Sequence, residues 1–73
     1  SNAPPPPDPK TRLQVLLQTS GRGIPVYVTV SATGEGPHHH FVVEVREATG
    51  KTLGTGAGQN KREAQIAAAI AAL

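Results

Sequence analysis

Gly54, Gly56 and Gly58 stand at every second position just ahead of an alanine-rich run, Lys61 to Leu73. Glycine weakens a strand because it has no side chain to pack and loses more backbone freedom on folding. A period-two series of glycines therefore marks a strand that another element approaches closely. The alanine-rich run has high helix propensity, and Asn60 can cap its start. Ala64, Ala67, Ala68 and Ala71 make a face of small side chains, with bulk left to Ile66, Ile70 and Leu73. A glycine strand followed by an alanine helix predicts a helix laid almost directly on a sheet.

The rest of the chain must supply that sheet. At 73 residues there is room for one small domain with a thin core. Ser1-Asn2-Ala3 reads as a remnant of tag cleavage, and Pro4 to Pro7 as the extended end of a linker with more protein on its N-terminal side. The domain is expected over residues 8–73. Asp8-Pro9 starts a helix, the aspartate as N-cap and the proline at the first helical position. Leu13, Leu16 and Leu17 form its apolar stripe, with Val15 off it, and Gly21, Gly23 and Pro25 end it. Val26, Val28 and Val30 alternate as the buried face of a first strand, which a loop from Thr33 to His40 connects to the second. Phe41, Val43 and Val45 form the inner face of that second strand. Ala48 to Lys51 is a hairpin turn with Gly50 at positive φ. A third strand covers about Thr52 to Ala57. The order α-β-β-β-α gives an α+β domain of two layers, a three-stranded antiparallel sheet with two helices packed on one face.

Composition removes several classes of function. There is no cysteine, which excludes disulfides and thiolate chemistry and leaves the compartment open. No apolar run approaches the roughly 18 residues that suggest a membrane span. Asp8, Glu35, Glu44, Glu47 and Glu63 are scattered, so no carboxylate cluster is expected to hold magnesium, and no metal or cofactor is expected in this stretch. No Ser-His-Asp or Cys-His arrangement points to catalysis. Seven Lys and Arg against five Asp and Glu give a net charge of +2, too small to indicate a nucleic-acid partner by itself.

Local strings add what composition does not. Asp8-Pro9-Lys10-Thr11-Arg12-Leu13-Gln14, Pro25-Val26-Tyr27, Leu53 to Gly58 and Asn60-Lys61-Arg62-Glu63-Ala64 occur in order across Asp8 to Leu73. In that order and spacing the chain resembles the double-stranded-RNA-binding domain, in the form found at the C-terminal end of bacterial ribonuclease III. The resemblance implies a cytoplasmic protein whose missing N-terminal domain, with magnesium, hydrolyses RNA as a homodimer. The stretch in hand would be monomeric and non-catalytic, and would position duplex RNA.

Domains of this kind read RNA by shape, spanning about 16 base pairs across two minor grooves and the major-groove phosphates between. The resemblance implies three contact regions. Thr11, Gln14 and Gln18 share one face of the first helix and offer amide and hydroxyl groups to a minor groove. Val15 stands where the ribonuclease III pattern usually has Glu. The loop Gly36-Pro37-His38-His39-His40-Phe41 would reach the next minor groove. Counting forward from Gly-Pro selects His39, counting back from Phe41 selects Pro37, and the expectation falls on His38 and His39 jointly. The start of the second helix, Asn60, Lys61, Arg62 and Gln65, would meet phosphates, with Gln65 where many relatives carry a third lysine. A helix N-terminus with two cations is a ready phosphate site. The other reading is the same fold turned to protein–protein contact or dimerisation.

Overall fold

The first helix is set by its ends. In the computed structural model, which describes residues 8–73, the Thr11 N–H donates to Asp8 Oδ1 at 2.9 Å and Pro9 opens α1 (Pro9–Thr19). The expected proline-rich segment, residues 1–7, lies outside the described residues. At the other end the Arg22 N–H reaches Leu17 O and the Gly21 N–H reaches Gln18 O, with Gly21 at φ 72°. That paired pattern closes a helix on a left-handed residue, a conformation glycine adopts without a Cβ penalty.

Three strands follow: β1 (Val26–Glu35), β2 (His38–Arg46) and β3 (Thr52–Gly58), antiparallel and in sheet order β1-β2-β3. α2 (Lys61–Ala72) completes the expected α-β-β-β-α order. The β2–β3 turn is as expected: Gly50 has φ 100° and donates its N–H to Glu47 O at 2.9 Å. The β1–β2 connection is not the expected loop. Strand pairing runs out to Glu35 opposite His38, so Thr33 to His40 is mostly ladder and only Gly36 and Pro37 turn. Gly36 at φ 57° supplies the positive φ that a two-residue hairpin turn needs.

The register shows which face is covered. Tyr27 lies opposite Val45, and Val45 opposite Gly54; Thr29 lies opposite Val43, and Val43 opposite Gly56. Directly paired residues share a face, so Tyr27, Val43, Val45 and the glycines all point toward the helices. Of the valines expected to be buried, Val26 and Val28 lie opposite Arg46 and Glu44 on the open face, Val26 50% exposed and Val28 partly buried, and Val30, left unpaired at a bulge, is 45% exposed. The alternation was real, but a period of two defines two faces without saying which one the helices cover. A bulge between Thr29 and Ser31 then shifts the phase, putting Ala32 opposite Phe41.

The buried core is small: Leu13, Leu17, Val43, Val45, Ala64, Ala68 and Ala69, with Tyr27, Phe41, Leu53 and Ala72 packed against it. Burying a leucine or valine contributes roughly 1.5–3 kcal/mol, so few residues carry the apolar term. Leu16 is not among them. It is 50% exposed although it sits on the leucine stripe, because α1 buries only the narrow edge holding Leu13 and Leu17. Ile70 and Leu73, expected to add bulk, are also exposed, and so is Ala71.

The glycine–alanine contact is as close as the sequence suggests. A Cβ on Gly54 would meet Ala68 O at 2.6 Å and Ala72 N at 2.7 Å, and one on Gly56 would overlap Ala68 N. On Gly58 it would meet Glu63 Cβ at 2.6 Å. These are mainly backbone atoms of a rigid helix, which cannot move aside as a flexible side chain can.

Candidate nucleic-acid interface

α2 begins with a reciprocal cap. The Glu63 N–H donates to Asn60 Oδ1 at 2.9 Å, and the Asn60 amide donates back to Glu63 Oε2 at 2.7 Å. This satisfies one of the free N–H groups of the first turn and fixes where the turn starts. Lys61 and Arg62 follow immediately and are exposed. Among the described residues neither takes part in an ion pair, whereas Arg22 and Arg46 are engaged by Glu47 and Glu44 at 3.0 and 2.9 Å. The two cations at the α2 start are thus held beside the positive end of a helix with no carboxylate partner.

Packing of α1 beside α2 brings part of the expected first region next to the third. Thr11, Gln14 and Arg62, with Asp8, Lys10 and Ile66, line one open groove between the helices. Gln18 is exposed but lies further along α1, outside that groove. The Asp8 carboxyl in that lining is held below the usual carboxylate value chiefly by the Thr11 N–H.

Gln65 is partly buried, and its Oε1 accepts a 2.7 Å hydrogen bond from Lys10 Nζ. The same ammonium lies 4.9 Å from the centroid of the Tyr27 ring, within cation–π range. Burial raises the Tyr27 phenol above its ordinary value, with Asp8 adding to the effect, and among the described residues its hydroxyl has no hydrogen-bond partner. The sequence offered no signal for this Lys10 arrangement, because its partners come from positions distant in the chain.

The histidines sit on the β1–β2 hairpin, all three exposed. Strand alternation separates them. His38 and His40 share one face, opposite Glu35 and Thr33, while His39 is on the face of Phe41. The His39 and Phe41 rings are 5.8 Å apart and tilted. His38 and His39, expected to act jointly, are therefore presented to opposite sides of the hairpin.

No group of three or more His, Cys, Asp or Glu side chains suited to a metal occurs among the described residues. No helix there is long and apolar enough to cross a membrane.

Comparison with known proteins bears on the domain as a whole. A family profile described as the double-stranded RNA binding motif matches residues 9–73. Ribonuclease 3 of Acinetobacter baumannii is 42% identical over 64 residues, covering 86% of this chain and 28% of that protein. Ribonuclease 3 of Vibrio parahaemolyticus is 41% identical over 66 residues, covering 90% of the chain and 29% of that protein. The chain thus spans little more than a quarter of the length of these relatives.

Proposed function

The chain belongs to the double-stranded RNA binding motif family, and on that premise we propose that it docks on duplex RNA by shape, across a minor groove, the adjoining major-groove phosphates and the next minor groove. The observation that carries the reading is the groove in which Thr11 and Gln14 of α1 lie beside Arg62 of α2. Neutral donor–acceptor side chains suit 2′-hydroxyls and base edges in a shallow minor groove. The adjoining helix start suits phosphate oxygens, through Lys61, Arg62 and the N–H groups that the Asn60 cap leaves free.

Gln18 extends the α1 contact along the same groove of the RNA. The β1–β2 hairpin, with His38 and His39, supplies the distal contact. Its ladder makes it a stiff arm, which favours a fixed span between the two minor-groove regions. The likeness to ribonuclease 3 supports a place for this domain beside a catalytic domain that cuts RNA, the role here being to hold the substrate.

Titration with an RNA duplex of about 20 base pairs, the matching DNA duplex and single-stranded RNA, each at two salt concentrations, tests the reading. A preference for the RNA duplex, weakening with salt, is expected. Equal affinity for all three, or none for any, would sink it.

One feature favours a second use of the fold. Arg12, Val15, Leu16, Thr19 and Leu73 line a shallow apolar groove, with Leu16 and Val15 half exposed. Contact with another protein would cover it. Sedimentation of the chain with and without Leu16→Glu would reveal self-association through this groove.

A further inference from the structure

α1 contributes only Leu13 and Leu17 to the buried core. Two buried leucines on one edge leave a helix free to rock, so its angle must be set by contacts at its ends. One end is tied through Arg22, just beyond the helix, whose Nε and Nη2 donate to the two oxygens of Glu47 at 3.3 and 3.0 Å. The other end is tied by Lys10. Its ammonium is drawn inward between Gln65 of α2 at 2.7 Å and the Tyr27 ring of β1 at 4.9 Å. Among the described residues this is the side-chain hydrogen bond that joins the two helices. A lysine serving as a phosphate contact would extend its stem and keep its ammonium in solvent; this one is partly buried and turned onto its neighbours.

The position of the tie matters. Lys10 precedes Thr11 in the chain, and Gln65 lies one turn beyond Arg62 on α2. The tie therefore sets the distance across the groove that Thr11, Gln14 and Arg62 line. We infer that Lys10 and Gln65 are positioning residues for RNA docking, acting through the spacing of the two helices rather than by touching RNA. This rests on the docking proposed above, and it gives Gln65 a different part from the direct phosphate-side contact expected of it by resemblance.

A double-mutant cycle with Lys10→Met and Gln65→Leu tests the assignment, read as affinity for the RNA duplex at several salt concentrations. Each single change should weaken binding about fivefold, and the pair should be no worse than about fivefold, because both remove the same tie. The salt slope should stay within about 0.3 of the wild type, whereas loss of a phosphate contact lowers it by about 0.9. Lys10→Arg, which keeps a cation and a donor, should bind within about twofold of wild type. In the unbound Gln65→Leu chain, the amide resonances of Thr11 and Gln14 should shift, and this reading stands even if Lys10→Met fails to fold. Losses that multiply in the pair, a slope lowered by a full contact, or unmoved α1 resonances would overturn the assignment while leaving RNA docking intact. A wild-type chain that ignores the duplex would overturn both.

Discussion

The β3–α2 contact and the α1–α2 groove lie on the same helix but obey different rules. At β3 the approach is backbone to backbone, and three glycines are required because any Cβ would collide with α2. At the groove the side chains are mostly exposed, and polar ends meet solvent. The first region tolerates almost no change of shape and presents no chemistry. The second tolerates changes of shape and holds the chemistry proposed to meet RNA. By resting on the glycine strand, α2 fixes the place from which Lys61 and Arg62 project, so tight packing on one side of the helix supports exposed function at its start.

The contrast can be broken in order of expected effect. Gly56→Val should cost about 3 kcal/mol or more, since the added atoms overlap the backbone of Ala68 and overpacking has nowhere to relax. Thermal melting followed by circular dichroism would show it, and a variant melting within a few degrees of wild type would mean that α2 can shift on the sheet. Lys61→Ala with Arg62→Ala should do the reverse, leaving the melting temperature nearly unchanged. Affinity for duplex RNA should fall on the order of tenfold, with a salt slope lower by about 2. An unaltered affinity would remove these side chains from the interface.

A smaller effect is expected where the two regions meet. Asn60→Ala removes both hydrogen bonds of the α2 cap and should cost about 1 kcal/mol, or roughly 4–8 °C in melting temperature for a domain of this size. Because Lys61 and Arg62 follow the cap, RNA affinity should fall with it. The smallest effect concerns acid. The Arg22 guanidinium holds the Glu47 carboxyl below the usual value of 4.5. A carboxyl with a lowered folded-state value favours the folded chain above about pH 4.5, and that contribution is lost as pH falls through the lowered value. Glu47→Gln should narrow the difference in melting temperature between pH 6 and pH 3, and an unchanged difference would show that this pair contributes nothing to acid sensitivity.

Local rules were legible in the residues. Asp8-Pro9 at the start of α1, Gly21 at its end, Gly50 in the β2–β3 turn and Asn60 before α2 act within a few positions, through hydrogen bonds and dihedral limits that neighbours cannot much alter. The glycine–alanine pairing was legible too, because an absent side chain is visible in a sequence. The candidate site was readable as three groups of residue types, but its geometry was not. Splitting His38 from His39 needed the hairpin register, which carries the ladder to Glu35 and His38.

By itself, then, the sequence determined the order of elements, their caps and turns, and the strand that a helix must touch. Tertiary structure decided which face of β1 is covered, since Val26, Val28 and Val30 and the set containing Tyr27 alternate equally well until Val45 pairs with Tyr27 and draws it under the helices. It also decided that Leu16 stays half exposed and that Lys10 turns inward to Gln65 and Tyr27. Periodicity is a property of one segment, whereas burial and partnership depend on what arrives from elsewhere in the chain.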